Sequence, residues 1–387
     1  MTGPTRAGAN GVKPSAAVII AVGDELLRGE TIDTNGAYLG AELTLLGVDV
    51  PERRVVRDDV DAIAAAISLA LQQADLVLVT GGLGPTVDDR TEAAVHQAVV
   101  DLDVIPVPNP VGTAPGLLAR PGGRVVLALP GPPRELRAVW SQALPLLDLA
   151  GAAGPVVTLT VAGIRESVVA ERLAALAELS VEVAYYAGPG QVRVRLSGDS
   201  APEAVALVHE LLGDAVFENP YGLAGAALAA ASAAELTVAV AESLTGGALA
   251  ASLTDVAGAS DVLVGGVVAY HERIKQQVLG VDPELLRTAG TVHADVARQM
   301  SEGVARLTGA DLGVATTGVA GPSSHSGHPP GTVFVAWAVR GEVVSRGFRF
   351  PGDRDWVRRR TVAAALDGVR RLAAGLPLGE HEGAPRR

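Results

Sequence analysis

The run Leu76-Val77-Leu78-Val79-Thr80 is apolar through its first four positions and breaks directly into Gly81-Gly82. A strand without polar alternation is buried on both faces, as the inner strand of a helix-covered parallel sheet is. Parallel neighbours need crossover connections, usually helices, and the chain supplies them in alternation. Ala17 to Val22 reads as a strand. Thr34 to Leu46 reads as a helix, with Gly47 as its C-cap. Val48 to Val56 is a strand, Asp59 to Gln73 an Ala-rich amphipathic helix, and Thr91 to Val100 a further helix. Val125 to Leu129 is a strand and Glu135 to Leu149 a helix. This alternation predicts a doubly wound α/β domain over residues 1–150.

Gly151 to Pro155 reads as a linker. Short strands at Val156 to Val161, Val181 to Tyr186 and Val192 to Leu196, with helices at Glu166 to Leu179 and Pro202 to Leu212, make a small α+β unit over 151–220. A second large α/β domain is expected over 221–387. The fold class is therefore two doubly wound three-layer α/β domains joined by a small α+β domain.

Composition bounds the function. Asp and Glu number 43 against 31 Lys and Arg, a net charge of −12. Such a chain lacks the basic footprint of a non-specific nucleic-acid binder, so no nucleic-acid partner is expected. It contains no cysteine, which excludes disulfides, thiolate nucleophiles and Cys-ligated metal sites. The apolar run Ala16 to Val22 is too short for a signal or transmembrane segment and reads as a first buried strand. A cytoplasmic protein with no membrane partner is expected.

The richest stretch for chemistry is Ala241-Glu242-Ser243-Leu244-Thr245-Gly246-Gly247. The β-branched run Leu236 to Val240 precedes it and the Ala/Leu-rich run from Ala248 follows, so Ser243 stands where a strand ends and a helix begins. Ligands of open α/β sheets bind at the carboxyl ends of strands, and a helix N-terminus suits an oxyanion or phosphate. Ser243 is thus a candidate nucleophile, and the alternative is that Ser243 or Thr245 merely caps the helix. Three stretches join it: Tyr270 at an expected strand end with Lys275 in the following helix, Thr317-Gly318 after the strand Leu312 to Thr316, and Arg354 and Arg358 in the last helix. On one helix Tyr270 and Lys275 would lie about 140° apart, but from a strand end and a first helical turn both can face one crevice. Serine beside a desolvated lysine is a nucleophile–base arrangement. The alternatives are a solvated helix lysine, a packing tyrosine and surface arginines. His325 and His328 are read as incidental to any metal site.

The first domain carries two acidic turns at strand ends, Gly23-Asp24-Glu25 and Gly81 to Asp89. Gly81, Gly82 and Gly84 let backbone amides approach a phosphate, and Asp24, Asp88 and Asp89 could hold a divalent ion against it. The alternative is that Asp88 and Asp89 cap the helix that follows.

These residues carry a resemblance. Ala21 to Gly29 with Asp33-Thr34-Asn35, Thr80 to Thr86 with Asp88-Asp89, Asn109 to Gly116, and Leu129 to Pro133 resemble the CinA family in its own order. The resemblance implies a molybdopterin-binding-like first domain. In some members that domain hydrolyses ADP-ribose or related dinucleotide pyrophosphates with a divalent metal, through a nucleotide site here at Asp24, Glu25, Asn35, Gly81, Gly82, Gly84, Asp88 and Asp89. Family members carry a longer segment where only Asp101 to Pro108 stands here, and a nucleotide-binding or structural role for this domain stays open beside catalysis. Gly163 to Ser167 and Glu171-Arg172-Leu173 resemble the family's small KH-type domain, without a basic Gly-x-x-Gly loop that would clamp RNA. That unit is expected to be a spacer or dimerisation element, and a homodimer the assembly.

Residues from about Tyr221 to Leu372 resemble the family's C-terminal domain, whose members include nicotinamide-mononucleotide (NMN) deamidases. The resemblance implies Ser243, Lys275 and Tyr270 as the catalytic set, and Thr245, Gly246, Gly247, Thr317, Gly318, Arg354 and Arg358 as substrate-binding. It implies no cofactor at that site. Leu244, His271, Glu272, His293 and the loop Pro322 to His328 depart from the family pattern. The expected function is hydrolysis of NMN, a small-molecule nucleotide, to nicotinate mononucleotide and ammonia, in pyridine-nucleotide recycling. The alternatives are a metal-dependent pyrophosphatase in the first domain and a non-catalytic nucleotide-binding protein.

Overall fold

A computed structural model of the chain describes residues 14–86, 88–100, 102–147, 149, 155–325, 327–379 and 381–384. Most of the expected linker, Gly151 to Gly154, and nearly all of the N-terminal stretch before the first strand lie outside the described residues. The chain forms two compact units, Met1–Val156 and Val157–Arg387.

The first unit holds strands β1 (Ala16–Val22), β2 (Asp49–Val56), β3 (Leu76–Thr80), β4 (Ile105–Val107), β5 (Gly116–Ala119) and β6 (Val125–Leu129) in the order β2-β1-β3-β6-β5-β4. The first four in that order are parallel, while β5 and β4 run antiparallel at one edge. Helices α1 (Asp24–Leu27), α2 (Thr34–Leu45), α3 (Val60–Gln73), α4 (Thr91–Ala98) and α5 (Pro133–Leu147) complete it. Successive side chains of a strand face opposite ways, so β1 divides its apolar residues between two cores. Val18, Ile20 and Val22 pack with Ile63 and Ile67 of α3 and Val95 of α4. Ala17 and Ile19 pack with Leu39 and Leu43 of α2 and Trp140 of α5. This is why the sheet's inner strands read as unbroken apolar runs.

In the second unit a four-stranded sheet comes first: β7 (Val156–Ala162), β8 (Glu182–Gly188), β9 (Gln191–Ser197) and β10 (Val216–Phe217), in the order β10-β7-β9-β8, with α6 (Glu166–Arg172) and α7 (Ala201–Leu212). The helix expected over Glu166 to Leu179 ends at Arg172 and continues as a separate 3₁₀ turn, Ala174–Glu178.

A five-stranded sheet follows, built from β11 (Val238–Glu242), β12 (Leu263–Val268), β13 (Leu312–Gly318), β14 (Thr332–Val339) and β15 (Glu342–Arg349) in the order β12-β11-β13-β14-β15. Strands β12, β11 and β13 are parallel, and the β14–β15 hairpin adds antiparallel to β13. Its helices are α8 (Gly222–Ala233), α9 (Ala248–Thr254), α10 (Glu272–Gln277), α11 (Pro283–Ala289), α12 (Ala294–Thr308) and α13 (Arg354–Ala373). Val238 and Val240 of β11 pack toward α8, α9 and α13, and Ala239 and Ala241 toward α11 and α12. Strand β12 stops at Val268, so Tyr270 lies two residues past the strand end instead of at it, where it is expected. No described helix is long and apolar enough to cross a membrane.

Candidate active site

The carboxyl ends of β11 and β13 meet at Ser243. The Ser243 amide donates to Thr316 O at 3.0 Å, which ties the residue after β11 to β13. Ser243 is largely buried, at 9% exposure. The turn closes through Gly246 N to Ser243 O at 3.1 Å, with Gly246 and Gly247 both at positive φ. Neither Ser243 nor Thr245 caps α9. That task falls to Glu242, which is fully buried. Its Oε2 accepts from Gly247 N and Leu249 N, each at 3.0 Å, and its Oε1 accepts from Ala250 N at 2.8 Å.

This corrects the expectation that the helix start is free to seat an anion, because a carboxylate of the chain already occupies it. Ala248 N is also engaged, with Thr245 O. Among the described residues, the turn amides left without an acceptor are those of Leu244 and Thr245.

Lys275 approaches Ser243 from α10. The His271 imidazole caps that helix, with Nδ1 accepting from Arg273 N at 3.1 Å. Lys275 is 1% exposed, so it is no solvated helix lysine. Its Nζ donates to Ser243 Oγ at 2.9 Å and to Ala269 O at 2.6 Å. Burial disfavours the ammonium and pulls its pKa down to about 8, with the nearby Glu272 carboxylate opposing. A lysine poised there can donate to the serine oxygen as an ammonium or take its proton as an amine.

Tyr270, expected as a member of the catalytic set, bonds to neither Ser243 nor Lys275 among the described residues. It is 61% exposed, and its hydroxyl accepts from Arg354 Nη2 at 3.0 Å. Arg354 Nη1 also donates to Gly321 O at 3.0 Å. One helical turn further along α13, Arg358 Nη2 donates to Thr245 O at 2.8 Å. Arg358 is thus fixed on the Ser243 turn, and Arg354 on Tyr270 and Gly321.

Three residues expected to touch substrate are spent on the scaffold. Thr245 is fully buried, with its hydroxyl 2.8 Å from that of Thr316. Thr317 donates to Thr291 O at 2.7 Å. At Gly318 a Cβ would meet Thr332 O at 2.5 Å, so this glycine admits the close approach of β14. Glu242 and Thr316 were not picked out as site residues from sequence. The available signal was an acid on the last strand position before a Gly-Gly turn into a helix.

In the first unit, Asp24, Glu25, Asn35, Gly81, Gly82, Asp88 and Asp89 line one cavity of about 690 Å³, with Asp58 and Gly131. Gly84 does not line it; a Cβ there would meet Asp89 Oδ2 at 2.6 Å. The carboxylates are largely engaged locally. Asp24 pairs with Arg28 at 2.9 Å, and Asp58 accepts from Asp24 N at 2.9 Å. Asp89 Oδ2 accepts from Thr86 N and Thr86 Oγ1 at 2.8 and 2.6 Å. Asp89 therefore closes its own loop, and α4 has no side-chain cap. Among the described residues no three acidic or histidine side chains gather as a metal-holding group, so Asp24, Asp88 and Asp89 share a cavity without forming the expected cluster. His325 and His328 pair with each other through backbone bonds at 3.0 and 2.9 Å.

A serine bonded to a buried lysine at the strand ends of an α/β sheet places a hydroxyl beside a group able to take its proton. Comparison with known proteins sets it in a lineage. A CinA C-terminal domain model matches residues 221–373, a probable molybdopterin-binding domain model residues 18–149, and a damage-inducible protein CinA KH domain model residues 157–217. A CinA-like protein of Frankia casuarinae is 39% identical, over 94% of this chain and 98% of its own length. One from Gemmatimonas aurantiaca is 38% identical, over 92% and 96%. A crystal structure of a competence-damaged protein (CinA) superfamily protein from Klebsiella pneumoniae is 34% identical, covers 41% of this chain and 99% of its own, and superposes with a TM-score of 0.40. The chain belongs to the CinA family.

Proposed function

We propose that the second unit is an amidohydrolase that converts nicotinamide mononucleotide to nicotinate mononucleotide and ammonia. The observation that carries the reading is the 2.9 Å bond between Lys275 Nζ and Ser243 Oγ, made by a lysine that is 1% exposed.

The chemistry follows from that contact. Lys275 in its amine form takes the Ser243 proton as Oγ attacks the carboxamide carbon, and the C=O pair moves to oxygen. The Leu244 and Thr245 amides are the donors for that oxyanion. Lys275 then protonates the departing nitrogen, the C–N bond breaks, ammonia leaves and a nicotinoyl ester remains on Ser243. Water attacks the ester, with Lys275 taking its proton and returning one to Oγ. Arg354 and Arg358 offer the substrate phosphate charge-assisted donors, and Tyr270 orients Arg354 through its hydroxyl.

The glycine-lined cavity of the first unit supports nucleotide binding there. Its acids do not form a three-residue group, so no metal-dependent step is derived from it. A substrate panel of NMN, ADP-ribose and NAD, followed with and without EDTA, tests the reading. Ammonia from NMN, insensitive to EDTA, is the expected result; nucleotide release only in the presence of metal, without ammonia, would overturn it.

A further inference from the structure

We infer that Glu242 is a positioning residue that sets Ser243 against Lys275, an inference that rests on Ser243 being the nucleophile proposed above. Glu242 is fully buried, and its side-chain partners are three backbone amides. A buried carboxylate is costly unless its lone pairs are filled, and here the start of α9 fills them with aligned N–H groups and a favourable dipole end. The bonds join residue 242 to residues 247, 249 and 250, closing the chain into a ring with Ser243 inside it. The ring is fastened to β13 by the Ser243 amide on Thr316 O at 3.0 Å.

The main chain of the same residue holds the lysine's seat. Glu242 O accepts from Ala269 N at 2.7 Å, and Ala269 O in turn accepts from Lys275 Nζ at 2.6 Å. One residue therefore braces both sides of the reacting pair, by its side chain on the serine side and its backbone on the lysine side. Its carboxylate also occupies the N–H groups that would otherwise draw an anion to the helix start. The substrate phosphate is left to the arginines of α13, and the turn amides without an acceptor among the described residues are those of Leu244 and Thr245.

The test compares Glu242→Gln and Glu242→Asp with the full-length parent. Glutamine keeps the reach but sets an NH₂ against one of the helix amides, donor facing donor. Aspartate keeps the charge and falls one methylene short. Active sites are counted by end-point labelling of Ser243 with a fluorophosphonate, located by mass spectrometry. Then kcat and KM for NMN are expressed per labelled site. The expected result for Glu242→Gln is a kcat lower by about a hundredfold with KM within about threefold, since the loss falls on the reacting geometry and not on substrate binding. Glu242→Asp should recover part of it. A buried residue of purely structural value would lower the melting temperature and the labelled fraction yet leave kcat per labelled site unchanged. That outcome overturns the inference. If Glu242→Gln does not fold, Glu242→Asp carries the same comparison against the parent. A parent that neither labels at Ser243 nor releases ammonia would instead sink the nucleophile reading itself.

Discussion

Lys275 Nζ lies 2.9 Å from Ser243 Oγ across 32 residues of sequence, inside a seat that leaves the lysine 1% exposed. Burial there lowers the ammonium's pKa to about 8. The amine form, which can accept the serine proton, is then about a tenth of the population at pH 7 and predominates above 8. The rate of ammonia release should rise about tenfold per pH unit below 8 and level off above it. A profile of kcat/KM for NMN from pH 6 to 9.5 checks this, and a flat line through pH 8 counts against Lys275 as the base.

Stability carries the opposite face of the same shift. The unfolded chain keeps this lysine protonated to about 10.5, whereas the folded chain releases the proton near 8. Between those values the unfolded state binds more protons, so stability rises with pH. Below 8 the folded state carries the full cost of a buried ammonium, at most about 3 kcal/mol for a shift of this size. Lys275→Met should therefore lose most activity while gaining about 1–2 kcal/mol at pH 7, the remainder being offset by lost hydrogen bonds. The gain should shrink as pH approaches 10.5. Urea unfolding of both proteins at pH 7 and pH 10 measures it.

Arg354 and Arg358 predict a split between substrates. Arg358→Ala should raise KM for NMN by about 10–100-fold, the range for losing a charge-assisted bond. With nicotinamide riboside, which lacks the phosphate, the variant should lose much less, the remaining loss coming from the bond Arg358 makes to Thr245 O. Tyr270→Phe removes the hydroxyl that holds Arg354 and nothing that touches Ser243. Its cost should stay within about tenfold and fall mainly on KM. A collapse of kcat in Tyr270→Phe would assign the tyrosine a proton-transfer role instead.

The first unit offers a backbone prediction. Gly81 has φ 96°, and a Cβ on it would meet Val22 O at 2.6 Å. Gly81→Ala should destabilise the first unit by about 2 kcal/mol or more, because the left-handed conformation and the clash add. Ammonia release, proposed for residues of the second unit, should be retained. Calorimetry with parallel activity assays tests both halves.

Much of this was legible in the sequence, for physical reasons. The buried strands β1, β3, β6 and β11 announce themselves because two covered faces demand unbroken apolar runs. The serine turn is visible because Gly246 and Gly247 mark a backbone reversal between strand and helix. The β4–β5 pair and the β14–β15 hairpin were harder to see, since short edge strands carry no comparable pattern. Lys275 could be nominated from sequence, but its burial could not, because helix α10 is only Glu272–Gln277 and shows little periodicity. Glu242 is marked only by its place, an acid on the last position of an apolar strand, because its three amide partners lie five to eight residues ahead. Thr245, Thr317 and Gly318 are expected as substrate contacts through the resemblance of their motifs to the CinA family. The structure shows how such positions also serve the joining of β11, β13 and β14.

The central claim, that Ser243 is the nucleophile, is tested most directly by ammonia release from NMN with the parent and Ser243→Ala side by side, each also melted thermally. Ser243 Oγ caps no helix and its bond is to Lys275. The account predicts at least a thousandfold loss of ammonia release with a melting temperature changed by no more than a few degrees. A Ser243→Ala protein that still deaminates NMN at the parent's rate would contradict it.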